Sequence, residues 1–293
     1  MKPPPFRYHD PRTIPEVVDL LGALENAKLL AGGQSLMPML NLRYVLPDHV
    51  IDLNRVEGLS GIRERDGMLE IGAMTRQRDI EFSDLVRERC PLMYEAIRQV
   101  GHRQTRNRGT LGGSLCHLDP AAELVSVATA LDASVQVRGP KGERTIGFAD
   151  FAVAYMTTAL DPDELLIAAR FPIWPPRHGH AFVEFSRRHG DFAIVSAAVL
   201  LTEDENGKIT RASVTLGGMG EKPVRAEALE RALVGSVPRA EMLRDICEAC
   251  RTLPALDDIH ASAAYRRHLA TVLSRRAIEK ALSRMHADGA QKE

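Results

Sequence analysis

Residues 28–43 read KLLAGGQSLMPMLNLR, and the reading of this stretch decides which kind of fold the chain can build. Lys28 to Ala31 is short and mostly apolar and runs straight into Gly32-Gly33, as a buried strand does before a turn. After Gln34 and Ser35 the apolar spacing becomes helical, with Pro38 close enough to the start to be tolerated. Strand, glycine turn and helix in that order leave unpaired backbone N–H groups at a helix N-terminus, where the macrodipole is positive, and glycine lets the backbone approach a ligand closely. That is a seat for a pyrophosphate, with Gln34 and Ser35 as further donors. Thr110-Leu111-Gly112-Gly113-Ser114 reads as a second glycine turn with hydroxyls at both ends. Taken alone, each pair reads equally as an ordinary turn, and Gly217-Gly218, after a C-terminal strand, reads more readily as a turn than as a site. Neither G-x-G-x-x-G after a strand nor G-x-x-x-x-G-K-[ST] occurs, so a different nucleotide-binding fold is required.

Working outward, Thr13 and Glu16 form a capping box with Pro15 in the first turn, ahead of Val17, Val18, Leu20, Leu21 and Leu24, so the chain is expected to open with a helix. Val50 to Leu53 reads as a strand closing the first unit. Ile62-Arg63-Glu64 and Leu69-Glu70-Ile71 flank Asp66-Gly67, a tight-hairpin signal. Helices are expected over 76–89, 91–100 and 121–131, and strands near 133–137 and 165–171. Trp174-Pro175-Pro176-Arg177 reads as a linker, because consecutive prolines continue neither helix nor central strand. Beyond it, 181–186, 192–202 and 209–216 form an antiparallel meander turning at Asn206-Gly207, and two or three helices, the last over 262–285, finish the chain.

A chain of 293 residues is expected to divide into two or three units. Its 44% hydrophobic and 26% charged residues place it among globular proteins. The net charge of -1 argues against a whole-chain role on nucleic acid. The N-terminus lacks a signal-peptide layout and no apolar run is long enough to span a bilayer, so a cytoplasmic protein is expected. Cys90, Cys116, Cys247 and Cys250 are too few and scattered for a disulfide scaffold. The C-x2-C of Cys247 and Cys250 lies on an amphipathic segment, without a partner pair at metal spacing, and reads as helix core. Arg98, His102, Arg103, Arg106 and Arg108 make a dense positive stretch, which reads either as a solvated face or as electrostatic support for a bound diphosphate.

Taken together, AGGQSLMPMLNLR at 31–43, NRGTLGGSLCHLDPAAEL at 107–124 and RRHGDFAIVSAA at 187–198 resemble the FAD-binding medium subunit of the molybdenum hydroxylases. That family includes the medium chains of aerobic carbon monoxide dehydrogenase, quinoline oxidoreductase and caffeine dehydrogenase. The resemblance covers nearly the whole chain. It implies an α+β fold: residues 1–177 form an FAD-binding domain of the vanillyl-alcohol oxidase (PCMH) type, with subdomains of about 1–58 and 59–177 and the cofactor between them. Residues 178–293 would form a C-terminal domain of the carbon monoxide dehydrogenase flavoprotein type, with a three-stranded antiparallel sheet and a helical bundle.

Carried over residue by residue, the resemblance implies FAD contacts from Leu30, Ala31, Gly32, Gly33, Gln34, Ser35 and Leu36, and from Thr110, Gly112, Gly113 and Ser114 around the pyrophosphate. Val100, near the adenine, and Gly101 follow. Asp119 and Glu123 match positions at the ribose, ribityl or pyrophosphate region, Leu165 and Leu166 the flavin side, and Asp191 and Phe192 the isoalloxazine ring. Phe192 stands where some members have Tyr, and Ser114 where Asn is commoner. Their chemistry alone also allows Asp119 as a helix cap, Glu123 as a dipole partner and Phe192 as a strand-core residue.

No catalytic triad and no metal set is legible, and four thiolates at cluster spacing are missing. The resemblance therefore implies a large molybdenum-cofactor subunit that oxidises substrate, a small [2Fe-2S] subunit that relays electrons to this chain's FAD, and a dimer of heterotrimers. The rival is a self-contained FAD-dependent oxidase or reductase of the same fold, which needs a substrate chamber of its own.

Overall fold

The computed structural model describes residues 1–287. The last six residues of the expected C-terminal domain lie outside the described residues.

The first unit is a small parallel sheet. Strand β1 (Arg7–His9) precedes helix α1 (Ile14–Ala23), so the chain opens with a strand rather than the expected helix. Three residues, none of them buried, carry no alternation from which β1 could have been read. The capping box forms as expected, with Thr13 and Glu16 bonding each other's backbone N–H. Strand β2 (Ala27–Leu30) leads through the glycine turn into α2 (Leu36–Asn41), and β3 (His49–Asp52) pairs in parallel with both β1 and β2.

The second unit is antiparallel. Strands β4 (Ile62–Arg65) and β5 (Met68–Gly72) join through Asp66 and Gly67, whose φ values of 52° and 70° are those of the tight hairpin the sequence predicts. The expected single helix over 76–89 is broken into α3 (Gln77–Glu81) and α4 (Asp84–Arg89), because the Ser83 hydroxyl accepts the Val86 N–H and starts a new helix. Then follow α5 (Pro91–Ile97), α6 (Arg103–Arg108), α7 (Leu111–His117) and α8 (Glu123–Ala130). Strands β6 (Ser134–Gly139) and β7 (Gly142–Gly147), the short α9 (Phe148–Phe151), the small hairpin β8 (Ala152–Ala154) and β9 (Thr157–Thr158), and β10 (Leu165–Pro172) complete it. The sheet order is β4-β5-β10-β6-β7, with the sequence-distant β10 in the middle.

The third unit begins after the proline segment. Strands β11 (Gly179–Phe185), β12 (Val195–Glu203), β13 (Ile209–Gly217) and β14 (Val224–Arg225) form an antiparallel sheet of four strands, one more than expected, since a two-residue edge strand leaves no periodic trace. Asn206-Gly207 turns the chain between β12 and β13 within a longer loop, in which Asp204 Oδ1 accepts the N–H groups of Asn206 and Lys208, both at 2.9 Å. Helices α10 (Glu227–Leu233), α11 (Ala240–Cys247) and α12 (Ala263–Ala287) cover one face. Cys247 and Cys250 are buried in that helical core as read from the sequence, and burial pushes the Cys247 thiol up to about 12.

Both faces of this sheet are covered, which explains why β12 is buried over seven consecutive residues from Val195 to Leu201. Ala197, Val199 and Leu201 face α12 and its neighbours, whereas Phe182, Ala198 and Leu200 join the core of the second unit alongside α5 and α8. The third unit thus completes the hydrophobic core of the second. Glu95 of α5 fastens the junction: it accepts the Phe182 N–H at 2.9 Å and an Arg284 bond at 2.7 Å, and pairs with Lys280. Burial alone would push the Glu95 carboxyl up; the bonds from Arg284, Lys280 and Phe182 hold it below its ordinary value. Glu95→Ala leaves two cations and an amide without their acceptor, and should lower stability to urea by about 2 kcal/mol. An unchanged unfolding midpoint would show that Glu95 does not fasten the units.

Candidate functional site

A cleft of about 400 Å³ opens between the first and second units, under a loop from the third. It exists because the two glycine motifs meet there. A Cβ on Gly32 would lie inside the carbonyl of Arg108, and one on Gly113 would stand 3.5 Å from the Ala31 methyl. Gly33 turns the chain at φ 74°. Arg76 ties the motifs together. Its guanidinium donates to the Arg108 carbonyl and, at 2.6 Å, to Asn54 Oδ1, while the Asn54 amide donates to the Ala31 carbonyl at 3.0 Å. Asp52 orients Asn54 by accepting its backbone N–H.

The two motifs offer different things. Among the described residues the backbone N–H groups of Gly33, Gln34 and Ser35 have no acceptor, so the first motif presents three free donors at the start of α2. The second is not the expected turn. Gly112 and Gly113 form the first turn of α7, capped by Thr110. Their amides are already engaged: Gly112 N–H with the Ala73 carbonyl at 2.8 Å, Gly113 N–H with Thr110 Oγ1 at 3.1 Å and Ser114 N–H with the Thr110 carbonyl at 3.2 Å. Glycine is needed here for packing, since a Cβ on Gly112 would come 2.7 Å from the Ala73 methyl. This motif contributes a bare surface and the Ser114 side chain instead of free amides.

The structure brings most of the expected residues to the cleft. Ala31 to Leu36, Val100, Thr110, Gly112, Gly113, Ser114, Asp119, Glu123, Leu165, Leu166 and Phe192 all line it. Leu30, Gly101 and Asp191 do not: Leu30 ends β2, Gly101 borders a neighbouring hollow, and Asp191 is solvent-exposed. Asp119 lines the cleft but does not cap α8, whose N-cap is Ala122; its Oδ1 instead accepts the Ala121 N–H at 2.9 Å in the turn before the helix, after Leu118 turns the chain at φ 52°. Phe192 is not a strand-core residue, because β12 starts only at Val195; it is 57% exposed on the loop that reaches over the cleft. That loop is anchored from below by the buried Arg266, which donates to the carbonyls of Ile194 at 2.6 Å and Gly218 at 2.8 Å and pairs with Asp258. At its tip Gly190 lies against the His102 ring.

Other lining residues escaped the sequence reading. Cys116 and His117 stand one turn beyond Gly112 and Gly113 on α7, so helical spacing would have found them once α7 was recognised. Met156 and Leu160 come from the connection around β8 and β9, too short to carry a pattern. In the positive stretch, Arg98, His102, Arg103 and Arg108 are exposed, as on a solvated face. Arg106 is half-buried, with its Nε and Nη2 bound to the Glu81 carboxylate and its Nη1 donating to the Val100 carbonyl at 2.9 Å, which makes it a strut between α6 and α3.

Three free amides on the lining of the cleft, apolar walls at Leu160, Leu165 and Leu166, and a site shared between two subdomains suit an elongated cofactor that carries a diphosphate. The site is therefore that of a protein holding a dinucleotide cofactor. Residues 4–174 match the family described as the FAD binding domain in molybdopterin dehydrogenase, and residues 180–281 match the CO dehydrogenase flavoprotein C-terminal domain. The chain belongs to this family of FAD-binding subunits of molybdopterin dehydrogenases. It is 40% identical over 286 residues to the alpha subunit of the 6-hydroxypseudooxynicotine dehydrogenase complex of Paenarthrobacter nicotinovorans, covering 97% of each chain. It is 39% identical to the caffeine dehydrogenase beta subunit of Pseudomonas sp. (strain CBB1), covering 98% of this chain and 99% of the relative. In structure it resembles carbon monoxide dehydrogenase from Hydrogenophaga pseudoflava, with a TM-score of 0.94, 36% identity, and 97% and 99% of the two chains covered.

Gly32→Ala forces the Arg108 carbonyl away from the first motif. The variant should lose about 2 kcal/mol of stability without any ligand present. A denaturation curve that overlays the wild-type curve would mean that the two motifs are not in close register.

Proposed function

We propose that the chain holds one FAD in this cleft and serves as the electron-relaying flavoprotein subunit of a molybdenum hydroxylase complex, accepting electrons from a [2Fe-2S] subunit and passing them to an external acceptor. The observation that carries the reading is the set of free amides at Gly33, Gln34 and Ser35, on residues that line a cleft shared with Gly112 and Gly113 of α7. When bound, FAD supplies redox chemistry that the side chains of this chain do not.

Within that reading the residues divide the work. Gly33 to Ser35 receive the diphosphate with backbone donors, and Ser114 adds a hydroxyl. Leu165 and Leu166 wall the flavin side, Val100 the adenine side, and Phe192 closes over the isoalloxazine from the third unit. The domain boundary falls in the Trp174–Arg177 segment, and residues 1–177 form a PCMH-type domain. Substrate oxidation belongs to a large molybdenum-cofactor subunit. The cluster belongs to a small subunit, because the four cysteines here are dispersed and, among the described residues, no group of metal-ligating side chains converges. The complex is a dimer of heterotrimers in the cytoplasm; among the described residues no helix is long and apolar enough to cross a membrane. Relatives of similar identity are named for caffeine and for a nicotine derivative, so substrate choice rests with the large subunit.

The purified full-length chain should be yellow and contain one FAD per chain. Expressed with its partners, it should co-purify with molybdenum and iron, and its flavin should be reduced by substrate only in the complex. A colourless chain that takes up no FAD would overturn the reading, and substrate-dependent flavin reduction by the chain alone would establish the self-contained oxidase.

A further inference from the structure

Two acidic side chains, one from the second unit and one from the third, lie close enough at their junction for the charge of one to act on the other. Glu123, the first residue of α8, is 4% exposed and lines the cleft. Glu184 is on β11, and one of its carboxylate oxygens is buried with no hydrogen-bond partner. Among the described residues neither forms a salt bridge or accepts a bond from another residue. The charged groups that act on Glu123 are Glu184, Asp119 from the segment before α8, and Arg106 from α6, and Arg106 is already bound to Glu81. His117, on α7 in the same cleft, has its pKa lowered by burial and offers no positive charge at neutral pH.

The surroundings are polar but uncharged. Glu184, Ser196 and Gly217 are cross-strand neighbours in one row of the third sheet. The hydroxyls of Ser196 and of Ser126, one turn along α8 from Glu123, are fully buried and unpartnered. A Cβ at Gly217 would collide with both, so glycine keeps that space open. Burial and a like charge both disfavour ionisation of an acid in such a place, and uncharged hydroxyls do not offset either effect.

We infer that Glu123 is held protonated and donates a hydrogen bond from its carboxyl oxygen to the bound cofactor. The inference rests on the FAD-binding reading above. Burial, then the charge of Glu184, pushes the Glu123 carboxyl up to about 8, and burial pushes Glu184 up to about 7. A neutral acid is what a site for an anionic cofactor needs at that position. Losing the proton replaces a donor with a like charge, so binding raises the carboxyl pKa further and takes up a proton above the free-state value.

The test is fluorescence titration of FAD into the deflavinated full chain between about pH 6.5 and 9.5, spanning the ordinary range of a raised carboxyl. For the wild type, Kd should be flat to about pH 8 and then rise about tenfold per pH unit. Glu123→Gln, whose amide donates at every pH, should bind within a few-fold of the wild type at neutral pH and lose the pH dependence. Glu184→Gln removes the like charge, so the rise should begin at lower pH. A wild-type Kd that stays flat to pH 9.5, or a Glu123→Gln profile that follows the wild type, overturns the inference; the wild-type profile decides alone if the variants do not fold. Absence of FAD binding at every pH overturns the functional reading instead.

Discussion

The site depends on one close approach, the carbonyl of Arg108 resting in the space where any residue but glycine at position 32 would carry its Cβ. Two subdomains with separate sheets are brought to van der Waals distance there, and the Arg76 guanidinium holds them by bonding that carbonyl and, through Asn54, the carbonyl of Ala31. With its carbonyl so engaged, the first motif keeps Gly33 to Ser35, whose amides are free, on the lining of the cleft. A small shift at this point would separate the amides from the wall they face. The glycines are therefore explained first by how the protein meets itself and only then by how it meets a ligand.

The third unit is part of the same construction. Its sheet gives one face to its own helices and the other to α5 and α8, so Phe182, Ala198 and Leu200 serve a core to which their own strands are foreign. This lets the loop bearing Phe192 reach the cleft from a fixed base, with Arg266 holding its end and Gly190 against His102. It also brings the charge of Glu184 to bear on Glu123. A unit that looks like an appendage in sequence order thereby supplies both a lining residue of the cleft and a charge that acts on its buried acid.

Much of this was legible from the sequence. The capping box at Thr13 and Glu16, the Asp66-Gly67 hairpin, the Ala31-to-Ser35 turn and the buried Cys247 and Cys250 depend on local chemistry that few residues decide. The misreadings share a cause as well. Gly112-Gly113 looks like a turn, but tertiary packing against Ala73 and the Thr110 cap make it a helix start. The strand pattern that seemed to include Phe192 comes from β12 being buried on both faces, which erases the alternation that would have marked where the strand begins. Strands β1, β8, β9 and β14 are too short for any periodicity. Cys116, His117, Met156 and Leu160 were missed because their elements were.

The central claim is that the free amides of the first glycine motif, and not those of the second, receive the cofactor's diphosphate. Amide-resolved NMR of the isotope-labelled full chain during an FAD titration tests it most directly. The account predicts the largest amide shifts at Gly33, Gln34 and Ser35, with Gly112 held by Ala73 and nearly unmoved. FAD binding that leaves Gly33, Gln34 and Ser35 unshifted would contradict it.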